Sequence, residues 1–118
     1  MTTSSRRYNF TIDQGATLGK ALTWKDSSGT AVNLTGYTAR MKAKERRPGT
    51  ATVLTLTTEN GGIALGGAAG TITLSMSAAA TAALTAQTLD YDLELVSGGG
   101  AVTRLLQGCI TVDGEITT

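Results

Sequence analysis

The sequence predicts an all-β fold: a single antiparallel β-sandwich of immunoglobulin-like or jelly-roll type, with about eight strands and one short helix. Apolar and polar residues alternate with a period of two along most of the chain, which is the pattern of strands with one buried face. Threonine, alanine and glycine supply 22, 16 and 15 of the 118 residues, a mixture that suits short strands joined by tight turns. A length of 118 residues is typical of one domain.

Five strand-like segments occupy the first half of the chain. Their inward residues are Tyr8, Phe10 and Ile12; Leu18, Leu22 and Trp24; Val32 and Leu34; Tyr37, Ala39, Met41 and Ala43; and Leu54 and Leu56 within 51–58. Asp26-Ser-Ser-Gly29 predicts a hairpin turn after the second segment, and Gly36 ends the third. Arg47-Pro48-Gly49 is the strongest turn signal, and it separates the fourth segment from the fifth.

Four more strand-like segments and one helix follow. The inward residues of these strands are Ile63 and Leu65; Ile72, Leu74 and Met76; Leu89, Tyr91, Leu93 and Leu95; and Leu106, Ile110 and Val112 within 102–112. The alanine-rich stretch 78–86 breaks the period of two. Ser77 is a suitable N-cap there, so we expect a short helix over residues 77–84 with Leu84 facing inward.

Burial and domain limits follow from the same pattern. Seven residues are expected to be largely buried: Trp24, Tyr37, Met41, Leu74, Tyr91, Leu93 and Leu106. Cys109 is expected to be a buried thiol that acts as a small hydrophobic side chain, because the chain has no histidine to activate it as a nucleophile. Residues 1–7 are expected to form a flexible arm ahead of a sandwich domain over 8–118.

The missing residue types exclude several kinds of site. Without histidine the chain cannot build a Ser-His-Asp or Cys-His catalytic site, and with one cysteine it cannot build a structural zinc site. We therefore expect no enzyme, no cofactor and no catalytic, cofactor-binding or metal-binding residue. No apolar run is long enough to span a membrane, and the N-terminus lacks the apolar stretch of a signal peptide.

Charge is distributed unevenly along the chain. Residues 1–47 hold nine basic and three acidic residues, net +6, whereas residues 48–118 hold one basic and six acidic residues, net −5. Arg40, Lys42 and Lys44 form a basic stripe on one strand, with Arg46 and Arg47 at the following turn. Three interpretations of this uneven charge distribution remain open: pairing across neighbouring strands, complementarity between subunits of an assembly, or nucleic-acid binding.

Asp90, Asp92 and Glu94 form an acidic stripe on one face of a later strand. Three carboxylates in a row suggest a hard cation such as Ca²⁺ as one interpretation. A straight strand spaces them about 6.5–7 Å apart, however, which is too far for all three to close around one ion. A solvated or cross-strand-paired face is the alternative that we favour.

Two blocks of sequence carry a family resemblance. The first runs from Phe10-Thr-Ile-Asp-Gln-Gly15-Ala-Thr through Leu22-Thr-Trp24-Lys-Asp26, Gly29 and Val32 to Leu34-Thr-Gly36-Tyr37-Thr-Ala-Arg40-Met41. The second joins Tyr91-Asp-Leu93-Glu-Leu95 through a glycine turn to Val102-Thr-Arg104-Leu105-Leu106-Gln-Gly108 and Thr111-Val112. Together they resemble small virion structural proteins of tailed bacteriophages and prophages, and more distantly the N-terminal β-sandwich domain of phage upper baseplate proteins.

This resemblance implies a non-enzymatic virion structural protein, an adaptor or attachment module of the tail, baseplate or neck. Alternatives are a capsid cement or decoration protein that bridges capsomers, and a carbohydrate-binding module. Expected partners are other virion proteins and copies of the chain itself; membranes and nucleic acid are not expected. We expect it in the virion, and in the host cytoplasm during assembly. Because the sequence ends at Thr118 without a long C-terminal extension, we expect a standalone decorating or joining piece rather than a fibre carrier. The candidate assembly contacts are Arg6, Arg7, Arg40, Lys42, Lys44, Asp90, Asp92 and Glu94.

Overall fold

The computed structural model describes residues 6–45 and 52–114. Within these ranges the chain forms nine strands: β1 (Arg6–Arg7), β2 (Phe10–Asp13), β3 (Leu18–Thr23), β4 (Thr38–Glu45), β5 (Thr52–Thr57), β6 (Ile63–Leu65), β7 (Thr71–Met76), β8 (Thr88–Val96) and β9 (Val102–Asp113). A helix, α1, spans Ala78–Ala82, and a 3₁₀ turn spans Gly67–Ala69. The predicted turn at Arg47-Pro48-Gly49 and residues 1–5 of the predicted arm lie outside the described residues.

The strands form two sheets that enclose one core, so the predicted all-β sandwich is confirmed. In the larger sheet β1 and β2 lie along β9, followed by β8, β4 and β5; the smaller sheet has the order β3-β7-β6. Every pairing is antiparallel except those of β1 and β2 with β9, which are parallel. The N-terminal strand therefore lies beside the C-terminal strand, and the expectation of purely antiparallel pairing is corrected at this edge.

The core is built from every second residue of the strands, as the alternation predicts. In β4, Ala39, Met41 and Ala43 are buried whereas Arg40 and Lys42 are exposed. The large side chains that are completely enclosed are mostly aliphatic: Ile12, Leu34, Met41, Ile72, Leu74, Leu89, Leu93, Leu95, Ile110 and, as the polar exception, Thr81. Burial of aliphatic side chains is thus the main stabilising contribution.

Four of the seven predicted core residues are buried: Met41, Leu74, Tyr91 and Leu93. Trp24 and Tyr37 are only partly buried and pack edge to face against each other, with ring centroids 6.2 Å apart. Trp24 follows β3, an edge strand of the narrower sheet, whose inward side chains are likewise only partly buried. The narrower sheet leaves this end of the sandwich less covered than the sequence predicts.

Leu106, the third exception, is partly buried because β9 contains a bulge. Leu93 pairs with Leu106, but the next residue of β8, Glu94, pairs with Arg104, so Leu105 is an extra residue in β9. Leu105 is buried and Leu106 is only partly buried. A bulge interrupts the period of two, and strict alternation therefore selects the wrong leucine here.

The predicted hairpin turn at Asp26–Gly29 forms, but the strand expected at Val32 and Leu34 does not. Asp26 accepts hydrogen bonds from the Ser28 hydroxyl and from the backbone N–H groups of Thr30 and Ser28, and these bonds hold the pKa of its carboxyl below the usual value. Leu34 is buried, yet its backbone N–H donates to the carbonyl of Gly67 in a loop. Burial at this position is provided by a loop, and not by a ladder of strand hydrogen bonds.

Helix α1 is shorter than predicted, and its anchor is a residue that the sequence pattern did not indicate. The Ser77 hydroxyl accepts from the N–H of Ala80, which confirms the N-cap, and Leu84 is buried. The Thr81 hydroxyl, fully buried, donates to the carbonyl of Ala16 and accepts from the N–H of Gly15. Thr81 thereby fastens α1 to the β2–β3 turn.

No helix in the described part of the chain is long and apolar enough to cross a membrane.

Strands β1 and β2 form one edge of the larger sheet, along β9. Arg6 and Arg7, expected in a flexible arm, pair with Leu106 and Gln107, so these two residues belong to the sheet. The Tyr91 hydroxyl donates to the carbonyl of Tyr8 at 2.5 Å, and burial raises the pKa of this hydroxyl far above its usual value. A Cβ at Gly108 would collide with the backbone of Tyr8, so the close approach of the two strands requires glycine at this position.

The opposite edge of the larger sheet, β5, is covered by one side chain. The Asn60 amide donates to the carbonyl of Thr55 at 3.1 Å and accepts from the N–H of Thr57 at 2.9 Å. The same oxygen accepts from the N–H of Gly62, and the backbone N–H of Asn60 donates to the Thr57 hydroxyl. Asn60 therefore takes the hydrogen bonds that an additional strand would make with this part of β5.

Candidate functional site

The outer face of the larger sheet carries the two charged stripes side by side. Strands β4 and β8 are neighbours in the centre of that sheet. Their side chains Arg40, Lys42 and Lys44, and Asp90, Asp92 and Glu94, point away from the buried residues that alternate with them. We call these six residues the charged face.

The register of the two strands pairs the stripes charge by charge. Arg40 lies opposite Glu94, Lys42 opposite Asp92, and Lys44 opposite Asp90. The two segments are about fifty residues apart in sequence, and the antiparallel pairing brings their opposite charges to adjacent positions. The cross-strand interpretation of the charge asymmetry thus has a geometric basis within one chain.

Two ion pairs between described residues involve the charged face. Arg40 Nε lies 2.8 Å from Glu94 Oε1, and their side chains are 50% and 24% exposed. Arg104 of β9, which the sequence analysis did not single out, places its Nε 3.6 Å from Asp92 Oδ2. Ion pairs with this exposure each contribute only a few tenths of a kcal/mol to stability, so their main effect is to orient the charged side chains.

The amines of Lys42 and Lys44 behave differently from the guanidinium of Arg40. Among the residues that the structure describes, neither lysine has an ion pair within 4 Å, although each lies opposite an aspartate in the register. Asp92 is within ion-pair distance of Arg104 on the other neighbouring strand. The basic stripe consequently presents two ammonium groups to solvent.

A shallow depression of about 260 Å³ lies between Arg40, Lys42, Asp92 and Glu94. Its lining consists of two basic and two acidic side chains, and each carboxylate lies opposite a basic residue across the strands. In the described part of the chain, no group of three or more Asp, Glu or Cys side chains is arranged to hold a metal ion. The depression is therefore suited to polar contacts with charged or hydrogen-bonding groups of another molecule.

Cys109 lies on the outer face beside the acidic stripe, and the expectation of a buried thiol is corrected. It pairs with Asp90 across β8 and β9, its Sγ is 3.6 Å from Asp90 Oδ1, and it is partly exposed. Ile110 and Val112 face inward, so the same alternation directs Cys109 outward. The sequence pattern contained this information.

Arg6 and Arg7 extend the same sheet. Arg7 is exposed and pairs with Gln107, which in turn pairs with Asp92, so Arg7 lies at the same level as the middle of the charged face. Two strands separate it from the lysines of β4. The structure thus places seven of the eight predicted contact residues on the outer face of one sheet, while Arg6 pairs with Leu106 at its edge.

A second surface feature is an uncharged groove of about 410 Å³ between β5 and the end of β7. Leu54, Leu56, Met76 and Ala80 contribute apolar lining, and Asn60 contributes a polar amide. No residue that lines it carries a titratable side chain. The groove lacks acid–base chemistry.

A scan against protein-family models found no match for this chain, and a search of curated protein sequences found none either. Function is therefore inferred from the chemistry of the charged face together with the two sequence blocks described above.

Proposed function

We propose that this protein is a non-enzymatic structural protein of a tailed-bacteriophage virion, which joins other components of the tail, baseplate or neck as an adaptor. The observation that carries the proposal is the charged face, an exposed sheet surface with ordered opposite charges. Such a surface favours specific, orientation-dependent contact with other proteins. The two sequence blocks provide the link to virion proteins.

The sandwich suits a passive role in an assembly. Asn60 covers part of β5 at one edge of its larger sheet, which limits strand addition there. Contacts are then directed to side chains of the outer face. Arg7 and the charged face provide both signs of charge for a neighbour in the particle.

A catalytic role has little support in the same geometry. The chain has no histidine, and its one cysteine, Cys109, lies beside the carboxylate of Asp90 rather than beside a basic group that would serve as its general base. Sugar binding normally uses an exposed flat aromatic ring. The Trp24–Tyr37 pair is packed edge to face and is partly buried, which does not supply such a platform.

The test is a binding experiment with purified tails and purified, tail-free capsids of a phage that encodes this chain. We expect the tagged protein to co-sediment with tails, and the bound fraction to fall as salt rises because exposed charge contacts are screened. Binding to capsids alone would replace the tail adaptor by the decoration protein. Binding to neither particle would contradict both virion roles.

A point variant makes this test specific to the predicted contacts. Arg7→Glu reverses an exposed charge without removing a strand residue, whereas deletion of residues 1–7 would also remove β1. We expect Arg7→Glu to weaken particle binding at low salt, with an unchanged circular-dichroism spectrum. Lys25→Glu, on an exposed residue beyond β3, is the matched control for the change in net charge.

A further inference from the structure

The charged face has a symmetry property that follows from its register. Its basic stripe lies on one strand and its acidic stripe on the adjacent strand. The two members of each pair lie at the same height along the strands. Neighbouring strands are about 4.8 Å apart, and successive charges on one strand are about 6.5–7 Å apart. The six charges form a two-by-three grid in which one column is positive and the other is negative.

We propose that this charged face is a self-association surface, on which a second copy of the chain packs face to face about a two-fold axis parallel to the strands and midway between β4 and β8. Rotation about this axis exchanges left and right but preserves height along the strands. It therefore places β4 of one copy over β8 of the other. Arg40 meets Glu94, Lys42 meets Asp92, and Lys44 meets Asp90, twice each.

The charges also select this axis against its alternative. A two-fold axis perpendicular to the strands, in the same plane, would place β4 over β4 and β8 over β8. Lys42 would then meet Lys42 and Asp92 would meet Asp92, so every contact would be repulsive. The flanking strands fit the first axis as well, because it places the threonines of β5 over β9, at Arg104, Gln107 and Cys109.

The middle of the grid is expected to dominate the contact. Two twisted sheets pack with their strands rotated by about 30°, so the outer pairs separate while the central pair stays aligned. The central pair contains Lys42, whose amine has no ion pair among the described residues, and Asp92, whose pair with Arg104 is long at 3.6 Å. These groups are available to a second copy without breaking the shorter Arg40–Glu94 pair.

This self-association rests on the proposed function only insofar as a virion protein acts in many copies. It is a property of the purified chain, and it is measured without phage particles. Failure to bind tails or capsids would leave it standing, and a strictly monomeric chain would leave the adaptor role standing.

The first experiment is sedimentation-velocity analysis of the purified protein over a concentration series, at about 20 mM and about 500 mM salt. We expect a monomer–dimer equilibrium that shifts towards monomer at high salt, because screening weakens the exposed charge contacts. Lys42→Glu introduces two like-charge contacts per dimer by symmetry, and it should weaken dimerisation about tenfold at low salt. Adding Asp92→Lys in the same chain should restore it. Lys25→Glu, with the same change in net charge, should leave it unchanged.

The second experiment uses Cys109, the one cysteine of the chain, to identify the axis. The proposed axis places Cys109 over Thr52 of the second copy, because Thr52 pairs with Lys44 and Cys109 with Asp90 at the same height. A Thr52→Cys variant treated with a short bis-maleimide should give a covalent dimer. The parent chain should not, since Cys109 and its symmetry mate lie at least three strand spacings, about 14 Å, apart.

An Arg104→Cys variant tests the alternative axis, which places Cys109 over residue 104 of the second copy. A covalent dimer from Arg104→Cys and none from Thr52→Cys would overturn the proposed axis. A chain that stays monomeric at all concentrations at low salt, with no covalent dimer from either variant, would overturn the self-association itself. Unchanged dimerisation in Lys42→Glu would place the interface elsewhere.

Discussion

The two edges of the larger sheet are built in different ways. One edge is formed by β1 and β2, which pair with β9, a strand about 100 residues further along the chain. The β5 edge is closed by Asn60, a side chain only a few residues beyond the strand it covers. The first arrangement is long-range and made by backbone pairing, whereas the second is local, exposed and made by a side-chain amide.

The two edges should therefore differ in how much stability is lost when they are disturbed. The docking of β1–β2 on β9 depends on a close approach at Gly108 and on a partly buried hydrogen bond from Tyr91, so its loss exposes or strains groups that water does not reach easily. The β5 closure involves backbone groups that water can satisfy if Asn60 is removed. Substitutions at the first edge should therefore lower the free energy of unfolding more than substitutions at the second, although both edges make similar hydrogen bonds.

The largest effect is expected from Gly108→Ala. The added methyl group would collide with the carbonyl and backbone carbon of Tyr8, and neither can move without separating β1–β2 from β9. We expect a loss of about 3 kcal/mol in the free energy of unfolding, measured by urea denaturation. An effect below about 0.5 kcal/mol would show that the N-terminal strand is not tightly docked.

Gly62→Ala is the matched control at the β5 edge. Neither Gly62 nor Gly108 has a positive φ, so any cost comes from space rather than from backbone strain. A Cβ at Gly62 would meet Leu56 Cδ2 at 2.7 Å, which a change of rotamer can move, and Leu56 Cβ at 2.9 Å, which moves only with β5; at Gly108 the closest atom is a backbone oxygen, which lies closer still. We expect a smaller destabilisation than for Gly108→Ala, in the same denaturation experiment.

Tyr91→Phe removes the hydrogen bond to the Tyr8 carbonyl and keeps the ring. We expect a loss of about 1–2 kcal/mol at neutral pH, because the carbonyl loses its hydroxyl partner in a partly buried site. The ring still packs edge to face on Phe10, with centroids 5.4 Å apart, so the core should stay intact. An unchanged unfolding midpoint would assign the docking of β1–β2 to Gly108 and the strand hydrogen bonds alone.

The pH dependence of stability provides a further check on Tyr91. Burial raises the pKa of its hydroxyl, so the folded protein keeps this proton at a pH where the unfolded chain, with an ordinary tyrosine pKa of about 10, has lost it. The stabilisation is complete below about pH 10 and is lost as the pH rises above that value. Stability should fall more steeply between about pH 9.5 and 11 in the parent protein than in Tyr91→Phe.

The smallest change in stability is expected from Asn60→Ala, which removes the amide that covers β5. We expect a loss of about 1 kcal/mol, together with faster hydrogen exchange at Thr57, whose N–H donates to Asn60. Asn33→Ala is the control, because Asn33 makes similar bonds to Thr35 within a loop and covers no sheet edge. Only Asn60→Ala should increase aggregation through an uncovered strand edge; equal aggregation of the two variants would contradict this role.

Most element positions were predictable because strand alternation and turn chemistry are local properties. The period of two located β4 and β8 and assigned their charged residues to one face. Ser77 marked the start of α1 for an equally local reason, its bond to the N–H of Ala80. The same rule, applied to Cys109, predicts the outward position that the structure shows.

Strand pairing and other tertiary contacts could not be predicted in this way, because they join segments that are distant in sequence. Nothing local to Arg40, Lys42 and Lys44 indicates that β8 lies beside them in register, and this pairing creates the charged face. The role of Gly108 depends on the backbone of Tyr8, and that of Thr81 on the β2–β3 turn. The bulge at Leu105 depends on how β8 and β9 meet.

The amino-acid pattern alone thus determined that this chain is a β-sandwich with an aliphatic core and two charged stripes. Only the packed fold decided that the stripes are adjacent, that the N-terminal strand runs parallel to the last one, and that one edge is covered by an amide. The physical reason is that side-chain alternation is set by the geometry of each strand. Strand order and register are set by which distant segments bury their apolar faces together.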